Sequence, residues 1–121
     1  MSRAVIEAVA RLIGDPDKWC QGALARSKKG FPTTPLNASS WDALGAVYHV
    51  LRTPVHNTKG LPMGVRDDLA ITLAALQMAA NVEHGMSMER VNDELGHAAV
   101  MSVLRIAWRR ADATTEQREA A

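Results

Sequence analysis

The sequence predicts a mainly α-helical fold, and three of its features support this class. Apolar residues make up 47% of the 121 residues, aromatic residues make up only 4%, and alanine is abundant. Small apolar residues favour closely packed helices, whereas β-branched and aromatic residues dominate strands. A chain of this length is expected to form one hydrophobic core. We therefore expect about four helices in a single domain over residues 1–112, followed by a polar flexible tail at 113–121.

Two helices are predicted in the first half of the chain, where apolar residues recur at three- and four-residue spacing. The first covers residues 3–13, and the Gly14 that follows it is typical of a helix end. The second begins after a cap at Ser39 or Ser40 and runs to about Leu51. Gly45, early in this helix, is expected to let another segment approach closely.

The segment between these helices has no helical period. From Trp19 to Pro35 it contains two short arms around the turn "SKKG", a pattern typical of a small β-hairpin. An isolated hairpin is only marginally stable in water. We therefore expect a small hairpin or irregular segment that packs against the helices.

The second half of the chain contains a loop and two further helices. Residues 53–64 hold two prolines and two glycines without periodicity, so they form the longest predicted loop. The third helix is expected to begin near Asp67 and to run toward Gly85. Residues 86–96 form an irregular or short helical turn, and the last helix covers about 97–112.

Composition also limits the possible functions. The formal net charge is only +1, which argues against a dedicated nucleic-acid binder. The single cysteine, the charged N-terminal segment and the lack of a long apolar run predict a cytoplasmic protein without a membrane span. The common nucleotide-binding and hydrolase motifs do not occur in the sequence. We therefore assign no catalytic residue and lean toward a protein that is not an enzyme.

Two constellations of reactive residues have simpler interpretations. Cys20 has no histidine at a spacing known from cysteine hydrolases, so we expect a buried small side chain. Glu89, Asp93 and His97 lie four residues apart, and Glu94 with His97 forms an E-x-x-H pair. A di-metal bundle needs a second such pair and two further glutamates from facing helices, which the sequence lacks. We therefore expect neither a metal nor a cofactor.

Basic residues mark the predicted contact surface. Lys28 and Lys29 lie at the tip of the predicted hairpin, and His56 and Lys59 lie in the loop 53–64. Exposed loops frequently carry binding residues. The expected partner is another protein, and self-association into a homo-oligomer is a further possibility.

Three segments together carry a resemblance to a known family. They are "WCQGALARSKKGFP" at residues 19–32, "ALGAVYHVL" at 43–51 and "VNDELGHAAVMSVLRIAWRRA" at 91–111. This pattern resembles a family of small domains of unknown function found in bacteria and their phages. Asp42 stands where members often have cysteine, and Val91 where they often have tryptophan. The resemblance implies a shape and an origin but no established activity.

Two functions remain open from the sequence. The favoured one is a non-enzymatic protein-interaction module of phage or mobile-element origin, for example a regulator or inhibitor of a host protein. The alternative is a small-molecule or nucleotide binder with a pocket between helices, lined by Trp19, Gln21, Trp41, Asn92 and Asp93. The same residues have a structural interpretation, in which Gln21 and Asn92 satisfy backbone groups while the tryptophans fill space.

Overall fold

The computed structural model describes the backbone of residues 2–55 and 58–120 and the side chains of residues 3–55 and 59–111. Five α-helices occur in this part of the chain: α1 (Ser2–Ile13), α2 (Ala43–Leu51), α3 (Met63–His84), α4 (Met88–Arg90) and α5 (His97–Ala120). A π-helical turn, Val91–Leu95, follows α4, and short 3₁₀ turns cover Pro16–Lys18, Pro35–Asn37 and Thr58–Gly60. Two strands, β1 (Ala25–Arg26) and β2 (Ser40–Trp41), form a small antiparallel sheet. The predicted mainly α fold with a small hairpin is confirmed.

The core forms around α1, which contacts α2, α3 and α5. Its apolar face is almost fully buried, because the three- and four-residue spacing of the apolar side chains places them on one side of the helix. The facing side chains of α5 and α3 are equally buried. In α1, α3 and α5, the large side chains that are fully buried are Ile6, Val9, Ile13, Leu76, Val100, Val103 and Leu104.

The hairpin differs in detail from the prediction. Ala25 pairs with Trp41 and Arg26 with Ser40, so the second strand lies beyond the segment expected to supply it. Only a single bridge, between Arg26 and Pro32, joins the two predicted arms. Two backbone hydrogen bonds flank this bridge: the Ser27 N–H donates to the Phe31 carbonyl at 2.8 Å, and the Thr33 N–H donates to the Ala25 carbonyl at 3.0 Å. The chain then turns again before residues 40–41 form the ladder with β1.

Several helix boundaries also differ from the prediction. The N-cap of α2 is Asp42, whose carboxylate accepts a hydrogen bond from the Gly45 N–H at 2.6 Å, whereas Ser40 lies in β2. Helix α3 begins at Met63, before the predicted start near Asp67, because the Pro62 carbonyl already accepts a hydrogen bond from the Arg66 N–H at 3.1 Å. Helix α5 continues beyond residue 112, where the prediction ends it, and its backbone is helical to Ala120.

Gly45 allows the hairpin to approach α2 closely, as its position in the sequence predicts. A Cβ atom placed at residue 45 would lie 1.8 Å from the carbonyl oxygen of Leu24. That carbonyl also accepts a hydrogen bond from the Asp42 N–H at 3.0 Å. The backbone before β1 therefore rests directly on the first turn of α2, and only glycine fits at this contact.

We expect Gly45→Ala to lower the free energy of unfolding by about 3 kcal/mol, because the methyl group meets backbone rather than a side chain that can move. Urea denaturation followed by circular dichroism measures this change. Gly64→Ala, in the first turn of α3, is the matched control because nothing lies within 4 Å of its added Cβ. Equal stability of the two variants would contradict the close contact at residue 45.

Candidate functional site

The side chain of Asn92 connects three separate segments of the chain. The π turn Val91–Leu95 carries it, and only 1% of the residue is exposed. Its Oδ1 accepts hydrogen bonds from the indole Nε1 of Trp19 at 2.8 Å and from the Ala43 N–H at 3.1 Å. Its Nδ2 donates to the carbonyl of Cys20 at 3.0 Å and to Oδ1 of Asp93 at 3.1 Å. The carboxamide is therefore fully used inside the protein.

Gln21 and Asp93 extend this arrangement toward the surface. The Gln21 Nε2 donates to the carbonyls of Asn92 at 3.0 Å and Asp93 at 3.3 Å. In return, Asp93 Oδ1 accepts a hydrogen bond from the Gly22 N–H at 2.9 Å. We call Trp19, Gln21, Asn92 and Asp93 the hub. The hub fastens a segment without regular structure to the turn before α5 by side-chain and backbone bonds in both directions.

The fifth predicted ligand residue, Trp41, is held by a different set of contacts. Its indole Nε1 donates to the carbonyl of Pro35 at 2.7 Å, and its ring lies 4.4 Å from that of His49. Its backbone carbonyl accepts the Cys20 N–H at 3.0 Å. The structure thus brings four of the five predicted residues into one network and places Trp41 beside it, with the indole directed to other partners.

Cys20 lies in the hub segment as a buried thiol. The residue is 8% exposed, and its Sγ lies 3.6 Å from the carbonyl of Ala23. Burial raises the pKa of the Cys20 thiol above its ordinary value. A raised thiol pKa reduces the thiolate fraction that a nucleophile or metal ligand requires. The geometry agrees with a space-filling role for this side chain.

The acidic and histidine residues near the hub have separate partners. Glu94 forms an ion pair with Arg90 at 2.8 Å, and Glu89 accepts a hydrogen bond from Gln77. The Nε2 of His97 lies 2.7 Å from the carbonyl of Ile13, and its ring packs edge-on against the Trp19 ring, with 5.3 Å between the ring centres. Within residues 3–55 and 59–111, whose side chains the structure describes, no three His, Cys, Asp or Glu side chains are grouped so that they could hold a metal ion.

Two of the predicted contact residues, Lys28 and Lys29, lie in the turn after β1, which comprises residues 27–31. Lys28, Lys29 and Lys59 are exposed, and His56 lies outside the described residues. Phe31, the last residue of this turn, is 67% exposed. Composition and periodicity give no signal for this aromatic residue, although the "GFP" after the basic pair places it at the turn.

Asp42 is a buried carboxyl whose environment cannot be predicted from the sequence. It is 6% exposed, and burial is the main reason that its pKa rises from 3.8 to about 7, against the effect of the hydrogen bond from Gly45. The signal in the sequence is an acidic residue directly before an apolar helix, a common N-cap pattern. Its burial depends on the packing of β2 and α2, which no local pattern shows.

The fold and the hub define a small helical domain in which the most distinctive sequence motifs bond to one another. The chain belongs to DUF6197, a family of unknown function whose model matches residues 1–110. This match confirms the resemblance to an uncharacterised domain family. No curated protein and no solved structure matches the chain. Among the described residues, no helix has both the length and the apolar character needed to cross a bilayer.

We expect Asn92→Ala to lower the free energy of unfolding by at least about 3 kcal/mol. The change leaves the Trp19 indole, the Ala43 N–H and the Cys20 carbonyl without their partner, and each orphaned buried group costs about 1–3 kcal/mol. Urea denaturation provides the measurement. Asn81→Ala, at an exposed position of α3, is the matched control and is expected to change stability by less than about 0.5 kcal/mol.

The buried carboxyl of Asp42 predicts a pH-dependent stability. Because its pKa is raised to about 7 in the folded protein, the native state holds a proton that the unfolded state has released between about pH 4 and pH 7. The contribution of Asp42 is therefore complete below about pH 4 and is lost as the pH rises through 7. Asp42→Asn keeps an equally good N-cap without this charge.

The stability of the native protein relative to Asp42→Asn is thus expected to fall from pH 4 to pH 7.5. Urea denaturation of both proteins at half-unit pH steps measures the difference between their free energies of unfolding. Groups that titrate in the same way in both proteins do not contribute to this difference. A difference that stays constant over this range would contradict the burial of a protonated carboxyl at residue 42.

Proposed function

We propose that the protein is a cytoplasmic, non-enzymatic module that binds another protein through the turn after β1. The observation that carries this proposal is the 67% exposure of Phe31 beside Lys28 and Lys29. An exposed aromatic ring can fill a pocket on a partner, and interface energies are concentrated in such anchors. The two ammonium groups would steer the turn toward an acidic surface.

Hydrogen bonds within the backbone hold the turn in one conformation, which supports a binding role. The Ser27 N–H donates to the carbonyl of Phe31 at 2.8 Å, and the Gly30 N–H donates to the carbonyl of Ser27 at 2.9 Å. Gly30 adopts a φ of 89°, a conformation that glycine adopts without strain. A loop already fixed in its binding conformation loses less entropy on association.

Arg26 joins the turn to the hub. Its Nη1 donates to the carbonyl of Gly30 at 3.0 Å, and its Nη2 donates to the carbonyl of Gln21 at 2.9 Å. The guanidinium therefore spans from the segment fixed by Asn92 to the turn that carries Phe31. The hub, in this proposal, supports a contact surface rather than forming one.

The alternative of a small-molecule or nucleotide site at the hub has less support. Such a pocket needs donors and acceptors directed at a ligand. The carboxamide of Asn92 already forms four hydrogen bonds within the protein, and Gln21 Nε2 and Asp93 Oδ1 are also engaged. We therefore favour the protein-interaction module, with Lys59 and His56 as its predicted second contact region. A regulator or inhibitor of a host protein, of phage or mobile-element origin, fits this proposal.

A photo-crosslinking amino acid placed at residue 31 tests the proposal. In lysate of the native host we expect one discrete crosslinked species, identified by mass spectrometry. The matched control carries the same crosslinker at Val82, which is 63% exposed on α3. Lys28→Glu with Lys29→Glu is expected to reduce the yield at residue 31 at least tenfold, since the charges steer association. Equal products from both positions, or none from residue 31, would argue against this surface.

A further inference from the structure

A cleft between α1 and α5 lies away from both the hub and the turn after β1. Its volume is about 310 Å³, at the lower end of the range for small-ligand sites. The floor is apolar and belongs to the core, with two fully buried and two half-buried side chains. These are Ile6, Leu104, Ala10 and Met101.

The rim of this cleft carries an excess of positive charge. Arg11 of α1 and Arg105 of α5 both line the cleft, against one carboxylate, that of Glu7. Both arginines are exposed, and neither forms a hydrogen bond or ion pair with any described side chain. An apolar floor beneath two available guanidinium groups matches a ligand with an apolar body and one anionic group.

Trp108 also lines the cleft. Its indole Nε1 is buried and has no hydrogen-bond partner within the described part of the chain. Buried indole N–H groups usually find a partner, so this exception requires an explanation. The guanidinium of Arg3 lies 3.5 Å from the centre of the same ring, which adds further positive charge beside Trp108.

We propose that the cleft between α1 and α5 binds a small organic acid, with its apolar body on the floor and its carboxylate held by Arg11 and Arg105. A free molecule fits the cleft better than a lipid bilayer does, because the apolar surface lies in a recess between two helices. This ligand site is independent of the proposed partner-binding turn.

Isothermal titration calorimetry of the full chain with 1-naphthoate tests this proposal. We expect one site with a Kd on the order of 0.1 mM, from the affinity that about a dozen ligand atoms provide. The neutral 1-naphthamide has nearly the same shape and is expected to bind about tenfold more weakly. Arg105→Gln should weaken naphthoate binding about tenfold and leave naphthamide binding unchanged, because only the anion pairs with the guanidinium.

Two further variants separate binding from folding. Glu7→Gln is expected to strengthen naphthoate binding about threefold, a gain that partial unfolding cannot produce. Ala10→Leu is expected to abolish binding by filling the floor of the cleft, while leucine preserves the helix. Arg109→Gln removes the same charge from an exposed position of α5 that does not line the cleft, and it should leave the affinity unchanged.

The proposal is overturned by any of three results. These are no naphthoate binding at millimolar concentration, an equal loss in Arg105→Gln and Arg109→Gln, or tighter binding of naphthamide than of naphthoate. Phosphatidylglycerol vesicles test whether the anionic group that the cleft binds belongs to a lipid instead of a free acid. Sedimentation of the protein with these vesicles, in the absence of naphthoate binding, would also overturn the assignment of a free small acid.

Discussion

The carboxamide of Asn92 is the interaction on which the rest of the structure depends. The stretch from Gly14 to Asp42 contains only two-residue strands and short 3₁₀ turns, so most of its backbone lies outside regular structure. Buried backbone groups outside regular structure need partners from elsewhere. Asn92 supplies them to Cys20 and Ala43, and it also fixes the indole of Trp19. One side chain thus joins this irregular stretch both to the start of α2 and to the turn before α5.

This arrangement explains why distinctive sequence motifs need not mark a reaction centre. Trp19, Gln21 and Asn92 look like the lining of a ligand site because they combine aromatic and amide groups. In the structure these groups bond to one another and to backbone, and Cys20 is buried with a raised thiol pKa. The turn with Phe31 and the cleft between α1 and α5 are two surfaces that lie outside the hub.

The sequence predicts the helices well because their apolar period is determined locally. The apolar residues of α1 occur at the expected spacing and Ile6, Val9 and Ile13 are fully buried. The pairing of β1 with β2 is not predictable in this way, since it joins residues that are separated in the sequence and meet only when the chain has folded. The burial of Asp42 is a tertiary effect as well. Structural use of Asn92 could be anticipated as one option, but the full set of its partners could not be, because Trp19, Cys20 and Ala43 lie far from it in the sequence.

The distance along the chain between the two halves of the hub has a consequence for folding. Trp19 and Asn92 are separated by 73 positions, so their bond closes only after most of the domain has been synthesised. Contacts of such long sequence separation form late, because loop closure must precede them. On the ribosome, the segment from Trp19 to Trp41 remains without its anchor until the π turn has emerged. The packing of this segment is therefore completed only when the chain that follows α4 is available to it.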